Sequence, residues 1–357
     1  MKKTIREDTV IMRIMCAVGF LIFSFLYLYN YQADILAMAQ HVLSDGKTSY
    51  NDLVGAIVIT ITLYALHLVI YGIMKLHSIA HALTYFPSLL LLTVLTDVSP
   101  DIDNGFSFGN WLWAFPLLLC LWYVGVLVAK ASMMYERPRV SHGFFSHTTW
   151  TNSLAMAVMF FLVGCFSNSD EVFHYRMKVE RCLVSGDYDK ALDVGYSSLA
   201  TDSSLTMLRV YALAACNELP ERLFEYPLTG GAAAMKPNGT SVRMLLHEDV
   251  GLRKVRQSSY DYLLCGLLLD RKIDRFAHEV VKKYNAANMP RHYREALVMY
   301  KHIRANPIIV CKDNVMDADY RDYQDTEKKY HDVAERKNKI RDAYGKTYWY
   351  YYDYGEK

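Results

Sequence analysis

The chain has 357 residues, 52% of them apolar, and a formal net charge of +2. With no basic block and no acidic tail, it offers no charge-read surface for nucleic acid and no solvating polyelectrolyte arm. The charge is unevenly spread: residues 1–167 hold nine of the 39 Lys and Arg and nine of the 37 Asp and Glu, so a charge-poor half precedes a charge-rich one. That asymmetry marks a membrane part followed by an aqueous part.

A helix that crosses a bilayer needs about 20 mostly apolar residues, because the hydrocarbon core is about 30 Å thick and each residue rises about 1.5 Å. Five segments meet or approach that length: residues 11–29, 53–76, 79–98, 111–133 and 149–166. The first opens on Lys2, Lys3 and Arg6 in the manner of a signal peptide, but its apolar run is too long for one and no small-residue cleavage site follows. Its tyrosines, Tyr27, Tyr29 and Tyr31, suit a membrane–water interface instead. In residues 33–43, Ile35, Leu36, Ala39, Val42 and Leu43 recur at helical spacing, the pattern of a short amphipathic helix lying on the bilayer. The fifth segment is the shortest, and a re-entrant or interfacial helix is its alternative reading.

Lys and Arg in short loops set orientation. Lys2, Lys3, Arg6 and Arg13 open the first segment, Lys75 lies between the second and third, and Lys130, Arg137 and Arg139 lie between the fourth and fifth. The opposite loops carry only Lys47, alongside Asp34, Asp45, Asp52, Asp101 and Asp103. The expectation is an inner-membrane protein with a cytoplasmic N-terminus, and five crossings then put residues 168–357 in the periplasm or outside the cell.

Beyond Asn168 the pattern becomes charged and amphipathic, with no convincing strand alternation. Gly186-Asp187-Tyr188-Asp189-Lys190-Ala191-Leu192 resembles the turn between the two helices of a tetratricopeptide repeat. Asn217-Glu218-Leu219-Pro220 follows at close to the period of about 34 residues, and Arg275-Phe276-Ala277 and Glu295-Ala296-Leu297 resemble degenerate second helices. Two departures stand out: no helix-ending Pro occurs at Ser203, and residues 227–257, with Gly230-Gly231 and Pro237-Asn238-Gly239, interrupt the spacing. The fold class expected is therefore all-α, a bundle of about five transmembrane helices followed by a soluble tetratricopeptide-like array of helical hairpins over residues 168–310. A polar helix and an aromatic tail complete it over residues 311–357. The resemblance implies binding of a protein or peptide in a concave groove.

The layout also resembles a family of uncharacterised Bacteroidota inner-membrane proteins. The stretches that carry this likeness are Pro87 to Leu92 with Asp97 to Ile102, Pro290 to Leu297, and Gly345 to Tyr350. That resemblance implies fold and location, and no activity.

Candidate chemistry is sparse. Cys182, Cys216 and Cys265 sit among apolar residues at helical spacing, and no CxxC pair suggests zinc. His77 and His81 are four residues apart on one helix, a spacing that can bring two imidazoles onto one metal. No carboxylate accompanies them as in HExxH, and hydrogen-bonding interfacial histidines are the competing reading. His142 and His147 flank the internal loop. His67 falls mid-span, where a polar ring must find a partner inside the bundle. Asp97, Asp101 and Asp103 read either as oxygen ligands for calcium or as a solvated turn started by Pro100.

Candidate partner-binding residues are Arg291, His292 and Arg294, which open a helix after Pro290, and Trp349 within the aromatic run Tyr348 to Tyr354. That run either stacks on a sugar, inserts at the membrane surface, or packs back on the array. No Walker loop, no GxSxG and no Cys/His catalytic arrangement occurs, so no cofactor is assigned. The reading leans toward a scaffold with a membrane-lipid environment and a protein partner rather than an enzyme. The alternative is a membrane enzyme or transporter subunit working through its cytoplasmic-side histidines.

Overall fold

A computed structural model describes residues 2–76, 78–99, 109–133, 146–235, 259–285 and 288–355, and those residues are helical with no strand among them. The chain divides into two compact units, Met1–Asp170 and Glu171–Lys357.

The first unit contains α1 (Lys2–Leu26), α2 (Ala33–Leu43), α3 (Asp52–Met74), α4 (Phe86–Thr96), α5 (Trp111–Met133) and α6 (His147–Phe166). Five helical stretches are long and apolar enough to cross a membrane: Val10–Tyr31, Asp52–Met74, Ile79–Thr96, Trp111–Ser132 and His147–Phe166. The ends follow local chemistry. Asn51 caps α3 by accepting from the Val54 N–H at 3.0 Å, and Lys75 closes it in the left-handed region at φ 49°. Ser146 caps α6, which pulls its start back to His147 and lengthens it to 20 residues, enough for a core of about 30 Å. Helix α2 keeps the expected bounds, but Ala33 and Ile35 through Ala39 are all buried, so no single apolar stripe is set off from the rest.

The third span is the interior one, 67% buried against 6–28% for the others. It is not a uniform α-helix: Ser78–Tyr85 is a 3-10 segment that passes into α4 at Pro87. Proline has no N–H to donate to the preceding turn, and it is tolerated in a helix at its first turn. Where a helix is irregular inside a membrane, side chains must satisfy the backbone groups that the ladder drops. They do so here. The Ala82 N–H donates to the Asn152 Oδ1 of α6 at 2.7 Å, and the Trp122 indole of α5 donates to the Leu83 carbonyl at 2.8 Å. Ser88 Oγ separately ties α4 to α3, donating to the Leu63 carbonyl at 2.9 Å.

The second unit runs α7 (Glu171–Ser185), α8 (Tyr188–Asp193), α9 (Ser203–Cys216), α10 (Leu219–Arg222), α11 (Ser259–Leu269), α12 (Ile273–Val280), α13 (Arg291–Ile303), α14 (Asn314–Lys329), α15 (Val333–Tyr344) and α16 (Tyr348–Tyr354). Helices α7–α8, α9–α10 and α11–α12 are three hairpins built on one turn. A left-handed residue closes each first helix: Gly186 at φ 78° and Asn217 at 60°, directly after α7 and α9, and Arg271 at 56°, one residue further on after α11. In each, the N–H after that residue reaches back five residues: Asp187 to the Cys182 carbonyl, Glu218 to Leu213, and Lys272 to Leu267, at 2.8–2.9 Å. This paired closure satisfies the carbonyls that a helix end leaves open. The second helices are short, only four residues in α10.

Helix α9 is buried from Ser204 to Ala214 and forms the centre of this unit's core with Leu264, Leu268, Phe276, Tyr293 and Leu297. All seven cysteines are free; Cys265 is buried, while Cys182 and Cys216 are half-buried. The aromatic tail packs back on the unit as helix α16, capped by Thr347, with Tyr348, Trp349 and Tyr351 buried.

Candidate functional site

The second unit carries a groove of about 650 Å³, within the usual range for a ligand pocket. One wall is residues 196–201, which follow the turn at Gly195. That glycine sits at φ 62°, and a Cβ there would lie 2.8 Å from the Tyr175 ring. The floor is Phe224, Tyr226 and Leu228, part of the segment that leaves α10 through a 3-10 turn before Pro227. The far wall belongs to α15 and α16: Lys337, Arg341, Lys346, Tyr350 and Tyr354. Lys346 spans the two walls. Its ammonium donates to the Tyr196 hydroxyl at 2.6 Å and lies 4.5 Å from that ring's centre.

The floor is held from below by a buried polar hub. His292 and Glu295 are both almost fully buried. The Phe224 N–H donates to His292 Nε2 at 3.3 Å, so the His292 Nδ1 carries the proton that it donates to Glu295 Oε2 at 2.8 Å. Glu295 also accepts from Arg291 Nε at 2.9 Å and from the Tyr348 N–H at 2.8 Å, while its backbone carbonyl accepts from the Trp349 indole at 2.8 Å. The Phe224 ring meets His292, Tyr348 and Tyr351 at centroid distances of 5.0–5.1 Å. Helix α13, helix α16 and the turn at Phe224 are tied together through Glu295 and His292, and the groove floor rests on them.

A buried cation lies beneath Tyr226. Arg209 of α9 is fully buried, with its guanidinium 5.2 Å from the Tyr226 ring centre and one donated bond, to the Gly195 carbonyl at 3.2 Å. Burial lowers its pKa to about 10 and raises that of Tyr226 to about 12. On the rim the balance is cationic, with Lys337, Arg341 and Lys346 against the carboxylates of Glu225 and Asp342. Glu225 is paired with Arg222 at 3.1 Å and with Arg291 at 3.7 Å, whereas among the described residues no carboxylate forms an ion pair with Lys337, Arg341 or Lys346.

The residues singled out from sequence fall in three places. His292 and Trp349 are inside the hub, and Arg291 is on its half-exposed edge. They position the groove floor and do not line the groove. Arg294 pairs with Asp313 at 2.8 Å, outside both hub and groove. In the first unit, His81 is buried against His67, Tyr71 and Tyr85, each ring edge-on to it, and His67 stacks on Tyr85 at 3.6 Å. Thr84 Oγ1 donates to the His81 carbonyl at 2.7 Å and lies 3.3 Å from His67 Nδ1, so the mid-span imidazole has its partner inside the bundle. His77, His142, Asp101 and Asp103 lie outside the described residues. Among the described residues, no three His, Cys, Asp or Glu side chains come together as a metal site.

Residues 253–355 match DUF6057, a family of unknown function. The matched stretch contains the hub and the α15–α16 wall of the groove; the wall at 196–201 and the floor at Phe224 and Tyr226 precede it. No curated protein and no solved structure matches the chain.

Sequence reasoning missed Tyr196, Tyr226, Lys337, Arg341 and Arg209. None belongs to a motif, and they converge only when α15 and α16 fold back to face residues 196–201 and the segment after α10. Lys346, inside the noted Gly345–Tyr350 stretch, was the one visible signal.

Proposed function

We propose that the chain is a membrane-anchored interaction protein of the cell envelope, which holds an extended segment of another protein in the groove between residues 196–201 and helices α15 and α16. The observation that carries this reading is the groove itself: aromatic floor, half-buried tyrosines, and rim cations left without acidic partners. Tyrosine supplies large contact area at low entropic cost, and unpaired Lys and Arg favour an acidic segment. Three hairpins with one shared turn support the tetratricopeptide-like description, and five spans with basic loops on the N-terminal side support an extracytoplasmic site. The likeness to uncharacterised Bacteroidota inner-membrane proteins is in keeping with both.

The test is site-specific photocrosslinking in intact cells. A crosslinker at Leu199, on the groove wall, is expected to trap a discrete protein; one at exposed Val315, outside the groove, is not. The R341E/K346E double variant should abolish the Leu199 adduct while leaving the protein at wild-type abundance. Equal trapping from both positions, or an adduct unaffected by the charge reversal, refutes the proposal.

A second reading, chemistry in the membrane unit, is favoured by the two imidazoles of His67 and His81, whose centroids lie 6.0 Å apart among tyrosines. Metal analysis of purified protein with H81A as control, beside a complementation assay, tests it: bound metal lost in the variant supports it, and metal-free protein with wild-type behaviour of H81A counts against it.

A further inference from the structure

Helix α5 is attached to the rest of the first unit unusually lightly. It is the least buried of the five spans, at 6%. Two tryptophans pin it. At its start, the Trp111 indole donates to Asp97 Oδ2 at the end of α4, at 2.6 Å; further along, the Trp122 indole donates to the Leu83 carbonyl, at 2.8 Å. Between the pins α5 stands off, and a groove of about 480 Å³ opens between α4, α5 and α6.

The pins are 11 residues apart, about 16 Å along a helix and close to half of the roughly 30 Å hydrocarbon core. The lining along α4, from Phe86 to Asp97, has the same spacing, so the groove has the length of one leaflet. Its walls are almost wholly apolar: Phe86 and Leu90 on α4, Leu118 on α5, Met159 and Phe166 on α6. Its polar end is Asp97 with Asn110 and Trp111, at the point where α4 ends, α5 begins and α6 ends. Indoles favour that level of a bilayer. Asp97 uses one carboxylate oxygen for Trp111, and its side chain is exposed to whatever lies above.

We propose that this groove binds one phospholipid, its acyl chain lying between the two tryptophan pins and its headgroup carrying an ammonium over Asp97. A hydrocarbon chain is the occupant because the walls are apolar but for Thr93, whose hydroxyl already donates to the Leu89 carbonyl at 3.0 Å. An ammonium headgroup is selected because, among the described residues that line the groove, the one charged side chain is the carboxylate of Asp97. This proposal is independent of the partner-binding groove in the second unit.

The experiment uses full-length protein in mild detergent with two photoactivatable lipids, identical in acyl chain, one phosphatidylethanolamine and one phosphatidylglycerol. Adducts are mapped by peptide mass spectrometry. Labelling is expected to concentrate on the stretches 86–90, 117–118 and 159–166. The ethanolamine lipid should label roughly two- to fivefold more strongly, the range expected of a partly exposed ion pair. D97N keeps a carbonyl oxygen for the Trp111 indole while removing the charge, so the preference should vanish and the acyl labelling remain. L118W, at a half-exposed position, should fill the groove and cut labelling by both lipids. Even labelling of the outward faces of α3 and α5, or L118W labelling like wild type, overturns the groove as a site. Equal labelling by the two lipids in wild type overturns the headgroup assignment.

Discussion

Replacing Glu295 with alanine tests whether the buried hub supports the second unit. Its side chain is 2% exposed and accepts from Arg291 Nε, His292 Nδ1 and the Tyr348 N–H. Truncation leaves the His292 and Tyr348 N–H groups buried and unpaired, at about 1–3 kcal/mol each. Arg291 retains Glu225 as a partner and adds little to the loss. The sum is about 2–6 kcal/mol. It is a large part of the 5–15 kcal/mol that a domain commonly has. E295Q preserves shape and one acceptor oxygen, and is expected to cost about 1–2 kcal/mol. The assay is urea-dependent pulse proteolysis of the full-length protein in detergent, read on fragments carrying a C-terminal tag. Midpoints for E295A and wild type that differ by less than the equivalent of 0.5 kcal/mol, about the scatter of an ordinary surface substitution, would refute the hub.

Arg271 adopts the left-handed conformation and donates to the Tyr351 and Gly355 carbonyls at 3.0 and 2.6 Å, so it clamps the end of α16. R271A loses the clamp and keeps the backbone strain, whereas R271G loses the clamp and relieves it. R271A should therefore be the less stable of the two by about 1 kcal/mol in the same assay, and both should release the tail faster to carboxypeptidase. N152A leaves the Ala82 N–H of the 3-10 segment without its acceptor inside the bundle, and detergent-solubilised protein should lose about 1–2 kcal/mol of stability, read as a lower thermal midpoint. For pH, hydrogen bonds from Lys272, Arg304 and His302 hold Asp270, Asp274 and Asp317 below the usual carboxylate range. The unfolded chain then takes up protons first, so the second unit should lose stability as the pH falls through about 4 and below. Burial raises Tyr211 and Tyr226 to about 12, so stability should also decline as the pH rises above about 10. A flat urea midpoint across either range would contradict these assignments.

The amino-acid sequence by itself determined the elements that depend on nearest neighbours and on the solvent. Apolar runs of bilayer length mark the five candidate spans, because hydrocarbon penalises each charge wherever the chain leads afterwards. The first two hairpin turns were legible at Gly186 and Asn217, residues that tolerate the left-handed conformation. The third was not, because Arg271 occupies that conformation for the sake of a bond to the tail 80 residues later. His67 could be read as needing a partner, but not that the partner would be Thr84 and a stacked Tyr85. The candidate partner-binding residues were chosen for polarity and aromaticity, which the sequence records. Burial, which moved His292 and Trp349 from a surface into a hub, is a property of packing. Only the tertiary structure decided that Tyr196, Tyr226, Arg341 and Lys346 share one groove, because residues 115 or more apart in the chain meet there through shape and not through any local periodicity.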